Sequence, residues 1–172
     1  MKRNILFIAM LAFLMMGCHN QNNKTTEGDV KKAEESLFNE DQTLNLEAVP
    51  TAITSYLKYV EENPKAADAA EYLFKAVNLS IESKQDPKQS IDLVNRLVEN
   101  YPEFENNSAA LFMLAAFVYD EQQQDLDKAR ETYQRIVDNY PDSPFANDAA
   151  ISITQLGMTP EELVKMFEQT EN

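Results

Sequence analysis

One spacing pattern recurs three times along the 172-residue chain and limits the folds that it can adopt. A small residue is followed, after three intervening positions, by a larger apolar residue, and after seven more by a proline. The three copies are Ala52-x3-Tyr56-x7-Pro64, Ser90-x3-Val94-x7-Pro102 and Ala129-x3-Tyr133-x7-Pro141. The unit recurs after 38 and then 39 residues. A repeat of this length predicts a solenoid, in which each unit buries its apolar face only against its neighbours.

Each unit is predicted to contain two helices. Apolar residues recur at helical spacing before each proline, as Ile53, Leu57 and Val60 do in the first copy. The proline then ends the helix, because it disfavours the α conformation for the residue before it. Asp86-Pro87 and Ser143-Pro144 are each expected to begin a helix, since a capping side chain precedes a proline suited to the first helical position.

The composition supplies few reactive groups. The chain has one histidine, one cysteine and three glycines, which excludes a Ser-His-Asp triad in the folded region, a zinc cluster and a glycine-rich phosphate loop. Adjacent carboxylates such as Glu61 and Glu62 point about 100° apart on a helix and cannot face one another across a substrate. We therefore predict no catalytic residue, no metal site and no cofactor, and we expect that the protein is not an enzyme.

The N-terminus has the features of an export signal. Lys2 and Arg3 precede an apolar run from Ile5 to Met16 that is too short to span a bilayer as a permanent helix. The sequence Leu14-Met15-Met16-Gly17-Cys18 resembles a bacterial lipobox, in which the cysteine is lipidated. We predict that residues 1–17 form a cleaved signal peptide and that Cys18 carries the lipid. The alternative is an ordinary secretory signal with a free thiol.

The rest of the chain divides into four predicted segments. Residues 18–28 contain no large apolar side chain and are predicted to be a lipid-anchored flexible tether. An N-terminal helix and connection follow over residues 29–48, then the repeats over 49–157. Residues 158–172 are expected to form a capping helix, beginning at Pro160, and a tail; a partner-recognition helix is the alternative. The formal charge of −14 would repel nucleic acid, which is not expected as a partner.

The repeats resemble the tetratricopeptide repeat, whose small residue, aromatic residue and closing proline correspond to the three repeated positions above. The longer period and the Tyr-Pro endings look most like the repeats of envelope lipoproteins, namely the YbgF-type (Tol–Pal-associated) proteins and the outer-membrane assembly component D family. The resemblance implies an all-α fold. Tetratricopeptide-like helical hairpins would stack as a short right-handed solenoid, closed by the C-terminal capping helix.

The same resemblance implies a binding surface, because the first helix of each tetratricopeptide pair lines a concave groove. Transferring those positions gives a candidate partner-binding groove of Asp68, Glu71, Lys75, Asn78, Asn106, Met113, Phe117, Asp148, Ser152 and Gln155. A mixed acidic lining with an apolar patch suits an extended peptide or a helix held by a few side-chain anchors. The alternative is structural, with Met113 and Phe117 in the core and the acids merely solvated.

We therefore expect a membrane-anchored, non-catalytic scaffold that binds a protein segment in the bacterial envelope. The resemblance points to outer-membrane or Tol–Pal-related organisation. His19 stands directly after the cysteine, where enterobacterial lipoproteins retained in the inner membrane have Asp, so the periplasmic side of the outer membrane is favoured. The alternative is an accessory lipoprotein that binds glycans or cell-wall fragments, although the chain has no tryptophan for a sugar platform.

Overall fold

A computed structural model describes residues 25–170 of the chain, with side chains as far as residue 168. The predicted signal peptide, the predicted lipidation site Cys18 and most of the predicted tether lie outside the described residues. Within the described range the helical elements are α1 (Glu27–Glu34), α2 (Val49–Glu62), α3 (Ala69–Ser83), α4 (Pro87–Asn100), α5 (Asn107–Met113), a π-helical segment π1 (Leu114–Gln122), α6 (Leu126–Asn139), α7 (Ala146–Gln155) and α8 (Pro160–Thr170).

Helices that follow one another in the sequence pack against each other. α1 packs on α2, α2 on α3, α3 on α4, π1 on α6, and α6 on α7. The fold is therefore all-α and consists of stacked helical hairpins, as the repeat predicts. In residues 25–170 the only β pairing is a single antiparallel bridge between Phe38 and Leu44.

The repeated sequence positions form the core of the stack. The small residues Ala52, Ser90 and Ala129 are at most 1% exposed, which allows neighbouring helices to approach closely. Serine at this position is accommodated because its Oγ lies 2.8 Å from the buried Oγ of Ser80 on α3. The larger apolar members of the pattern, Tyr56, Val94 and Tyr133, are also buried.

The three proline-containing linkers share one hydrogen-bonding pattern. The backbone N–H groups of Ala66, Phe104 and Ser143 donate to the carbonyls of the helix-ending residues Asn63, Tyr101 and Tyr140. Three residues later the N–H groups of Ala69, Asn107 and Ala146 donate to the carbonyls of Ala66, Phe104 and Ser143. The helices end directly before the prolines, as predicted.

The two predicted helix starts have different outcomes. Asp86 caps α4, because its carboxylate accepts hydrogen bonds from the N–H groups of Lys88 and Gln89 at 3.0 and 3.1 Å. The prediction for Ser143-Pro144 is wrong. Ser143 belongs to the linker turn described above, and α7 begins three residues later at Ala146.

The two ends of the described fold differ in packing. α1 begins at Glu27, inside the predicted tether, because Thr26 and Asp29 form a reciprocal capping box, and it has eight residues. α8 begins at Pro160 as predicted, with the Thr159 N–H donating to Glu162 at 2.8 Å. Val164, in the apolar stripe of α8, is 56% exposed, so this stripe lies largely on the surface.

Candidate functional site

A groove of about 940 Å³ opens between α3 and the continuous helix formed by α5 and π1. We call it the α3–π1 groove. Its lining is mostly apolar, with acidic side chains near one end. The lining residues are Phe74, Asn78, Ile81, Glu82, Lys84, Ala109, Phe112, Met113, Phe117, Glu121 and Phe145.

Aromatic contacts, two of them edge-to-face and one tilted, hold the walls of the groove. The ring of Phe74 lies 5.7 Å from that of Phe104, in the linker before α5. The ring centre of Phe112 lies 5.2 Å from that of Tyr133 in α6 and 5.4 Å from that of Phe145, just before α7. Contacts of this kind contribute about 0.5–1.5 kcal/mol each beyond the area that they bury. These contacts join the groove walls on α3 and α5 to α6 and to the linkers before α5 and α7, so the groove has a defined shape before any partner arrives.

Phe117 and Met113 provide the accessible apolar surface of the groove. Phe117 is 40% exposed, although it lies in the middle of a helix, and Met113 is half-buried one turn earlier. Phe117 lies in π1, where the hydrogen-bonding pattern widens; the N–H of Gln123, for example, donates to the carbonyl of Val118 five residues earlier. π-helical turns are rare and often occur at functional sites. A flexible thioether beside an exposed ring is suited to contact apolar side chains of varied shape.

Charged groups lie at one end of the groove. Glu82, at the end of α3, lines it together with Glu121 of π1 and Lys84. Lys84 Nζ lies 3.4 Å from Glu121 Oε2, and both side chains are more than half exposed, so water and salt screen this ion pair. Lys84 can reach Glu121 because α3 ends at Ser83 and Lys84 adopts the left-handed conformation, with φ 54°.

The structure brings three of the ten predicted groove residues into the α3–π1 groove, namely Asn78, Met113 and Phe117. The other seven do not line it. Asn78 also lines a second, smaller cavity of about 360 Å³ on the α1 side of α3, so it forms part of the ridge between the two. Its Oδ1 atom is buried and has no hydrogen-bond partner within the described part of the chain.

Lys75 lines that second cavity, where it is engaged by α1. Its Nζ donates to Glu34 Oε1 at 2.9 Å and lies 5.2 Å from the centre of the Tyr72 ring. The hydroxyl of Tyr56 donates to the same carboxylate oxygen at 2.8 Å. Partial burial opposes ionisation of Glu34, but the hydrogen bonds from Lys75 and Tyr56 outweigh it and lower the pKa of this carboxyl. Lys75 is thus paired within the fold and lies outside the lining of the α3–π1 groove, and its role as a partner anchor stays a prediction.

The remaining predicted residues of the first two units also lie outside the lining of the α3–π1 groove. Asp68 lies at the start of α3 and accepts a hydrogen bond from the Tyr59 hydroxyl at 3.0 Å. Glu71 is exposed on the first turn of α3. Asn106 precedes α5 and makes no capping hydrogen bond with its side chain.

The residues of the last unit lie on α7. Asp148 is exposed, whereas Ser152 and Gln155 are half-buried. Burial raises the pKa of Tyr133, and a hydrogen bond with Ser152 partly offsets this effect. Ser152 therefore contacts α6, and α7 reaches the α3–π1 groove only through Phe145 at its N-terminal end.

The main groove residues that the sequence analysis did not assign are Phe74, Phe112 and Phe145. Phe74 and Phe112 each stand one position before a predicted residue, Lys75 and Met113. Both phenylalanines pack against other aromatic rings, and they form the groove walls as well. Their spacing carried a signal, since Phe74, Asn78 and Glu82 recur every four residues on one face of α3.

Two further properties concern the described residues alone. From residue 25 to residue 170, no group of three or more His, Cys, Asp or Glu side chains is placed to hold a metal ion. Within the same range, no helix is both long enough and apolar enough to cross a membrane.

Comparison with known families identifies one of the repeats. Residues 109–143 match the tetratricopeptide repeat. The matched segment covers most of α5, all of π1 and α6, and the proline that follows α6. It therefore contains one wall of the groove, including Met113 and Phe117. Tetratricopeptide repeats typically serve in protein–protein interaction, and this match supports an interaction role for the segment. No curated protein matches the chain.

Proposed function

We propose that the protein is a membrane-anchored, non-catalytic scaffold that binds a segment of a protein partner in the α3–π1 groove. The observation that carries the proposal is the accessible pair Met113 and Phe117, which lie in the matched tetratricopeptide repeat and line a preformed apolar groove. Exposed apolar side chains in a concave site lose contact with water when a partner binds, and a few such anchors provide most of the affinity of an interface.

The test of the groove is a pair of substitutions, Met113→Ala and Phe117→Ala, in the full chain. Cross-linking in intact cells, followed by mass spectrometry, identifies the partner captured by the unmodified protein. We expect the double variant to bind this partner at least about thirtyfold more weakly, which corresponds to the loss of about 2 kcal/mol at a central aromatic anchor. Circular dichroism should show an unchanged helical content.

Leu46→Ala is the matched control. Leu46 is 49% exposed and does not line the groove, so its truncation removes a similar accessible apolar side chain from another surface. The control should retain the partner. Equal binding by the control and the double variant would show that the partner docks elsewhere.

The envelope location rests on the N-terminal sequence. We propose that lipid on Cys18 confines the scaffold to the periplasmic side of the outer membrane, in a role related to outer-membrane or Tol–Pal organisation. Two or three acyl chains would anchor the protein almost irreversibly, since each buried CH₂ contributes about 0.8 kcal/mol. Cys18→Ala should release the protein into the soluble fraction, whereas His19→Ala should leave it lipidated. Membrane association that survives Cys18→Ala would refute the anchor.

A further inference from the structure

The two layers of helices in the stack differ in charge. The inner layer consists of the elements that line the α3–π1 groove or continue its layer, namely α3, α5, π1 and α7. Together these elements contain five acidic residues and one basic residue. The intervening helices of the other layer, α4 and α6, contain five acidic and five basic residues. Among these helices the excess negative charge therefore lies on the layer that contains the groove.

The basic groups near the groove are already paired. Lys75, the one basic residue of the inner layer, lies 2.9 Å from Glu34, and Lys84 lies 3.4 Å from Glu121. Glu82 also lines the groove and is exposed, and its carboxylate has no ion pair with any residue that the structure describes. A ligand in the groove thus meets an apolar floor with net negative charge at one end.

We propose that the segment bound in this groove is basic and amphipathic, with bulky apolar side chains on one face and Lys or Arg on the other. This inference rests on the proposed function and specifies the partner's chemistry. The apolar side chains contact Met113, Phe117 and the aromatic walls, and a cation lies near Glu82. Charge complementarity of this kind increases association rates and discriminates against partners of the wrong sign.

The same charges disfavour the other occupants. The chain carries a formal charge of −14, so a second copy brings like charge to an acidic surface. An anionic lipid surface is repelled in the same way. An amphipathic helix whose apolar face enters a hydrophobic groove is a common mode of peptide recognition, and here its polar face is expected to be cationic.

The experiment uses three model peptides with the same Leu- and Phe-containing apolar face and a polar face of Lys, Gln or Glu. Each carries a photo-reactive group on the apolar face and is titrated against the full chain in a nonionic detergent. Mass spectrometry maps the cross-linked residues, which distinguishes peptide bound in the groove from peptide taken up by detergent micelles. We expect the Lys peptide to label α3 and π1, with an affinity about tenfold above that of the Glu peptide.

Two substitutions with the same charge change separate local from overall attraction. Glu82→Lys reverses a charge in the groove, and Glu131→Lys reverses one on the exposed face of α6. We expect Glu82→Lys to weaken the Lys peptide about fivefold, because one favourable surface pair becomes unfavourable, and Glu131→Lys to have less than about a twofold effect. Both variants should keep the helical content of the unmodified protein.

The outcomes distinguish this inference from the proposed function. Equal labelling of the groove by all three peptides, or equal effects of the two charge reversals, would overturn the basic-ligand inference and leave a groove that binds apolar segments. If no peptide labels the groove, both proposals fail. A dimer that Phe117→Ala dissociates, without peptide labelling, would instead assign the groove to a second copy of the chain.

Discussion

The contact between α1 and α3 provides the sharpest test of how the fold is held together. Glu34 Oε1 accepts hydrogen bonds from the Tyr56 hydroxyl at 2.8 Å and from Lys75 Nζ at 2.9 Å, so one carboxylate joins α1, α2 and α3. Glu34→Gln removes the charge and keeps an acceptor of the same shape. We expect it to destabilise the fold and to loosen α1 before the rest of the stack.

The size of the expected loss of stability follows from the solvent exposure of the ion pair and from the hydrogen bonds that Glu34 accepts. The Lys75 and Glu34 side chains are 39% and 32% exposed, so the ion pair contributes at most about 1 kcal/mol after solvent screening. The hydrogen bond from Tyr56 persists with the amide oxygen but loses its charge assistance, which costs a further few tenths of a kcal/mol. We therefore predict a loss of about 1 kcal/mol for Glu34→Gln. Glu34→Ala, which leaves the buried Tyr56 hydroxyl without this acceptor, should lose about 2 kcal/mol.

The pH dependence of that loss tests the cause. Because the pKa of Glu34 is lower in the folded chain, its stabilising effect is present above the ordinary carboxyl value of about 4.3 and disappears as the pH falls through the folded-state pKa. Urea unfolding of Glu34→Gln and the unmodified chain should therefore differ at neutral pH and converge at acid pH, where Glu34 of the unmodified chain is protonated. Glu35→Gln, at an exposed neighbouring glutamate, is the control and should have little effect. An equal loss at both pH values would refute the electrostatic explanation.

Two further predictions concern backbone strain and alkaline pH. Gly157→Ala should destabilise the fold by about 1–2 kcal/mol, because φ is +78° and the new Cβ would lie 3.0 Å from Leu126 Cδ1. The control Gly28→Ala, inside α1, should be neutral or stabilising. Thermal unfolding of the two variants and the unmodified chain tests both expectations. Burial and the Asp68 carboxylate raise the pKa of Tyr59 to about 12, so its contribution is complete below about pH 10 and disappears as the pH rises through about 12. The free energy of unfolding of Tyr59→Phe, measured by urea titration, should therefore fall less between about pH 10 and about pH 12 than that of the unmodified chain. An equal fall in both proteins would contradict this account.

The sequence predicts the architecture well because the determining interactions are local and repeated. The small residue, the apolar residue and the proline of each unit act within one helix and its end, and all three copies occupy equivalent places in the structure. Gly157 follows α7 with φ +78°, a conformation that glycine adopts readily at the end of a helix, so this feature is local as well. These features need no knowledge of which helices meet.

Helix starts are harder to predict, because the same residue pair can serve two structures. Asp86-Pro87 and Ser143-Pro144 both present an N-cap signal, yet only Asp86 caps its helix. Ser143 occupies the linker position filled by Ala66 and Phe104 in the other units, and the repeated turn determines its conformation. Comparison among the three copies would have revealed this, since the other residues at that position cannot cap.

The site is harder still, because it depends on contacts between elements distant in sequence. Lys75 has the spacing of a groove residue, but Glu34 lies 41 positions earlier and pairs with it. Phe145 belongs to the linker before α7 and reaches a groove formed by α3 and π1. Helical periodicity identifies the face on which a residue lies, whereas the neighbour that covers this face is determined by tertiary packing.

The uneven charge of the two helix layers has opposite consequences for the free and the bound protein. Like charges gathered on the inner layer repel one another, so added salt should stabilise the free chain by screening them. If the bound segment is cationic, the same salt weakens the complex, because it screens the attraction between the segment and the acidic end of the groove. A neutral apolar ligand shows no such weakening. Opposite salt dependences of stability and affinity therefore connect the acidic inner layer to binding, whereas parallel dependences would assign its charge to solubility alone.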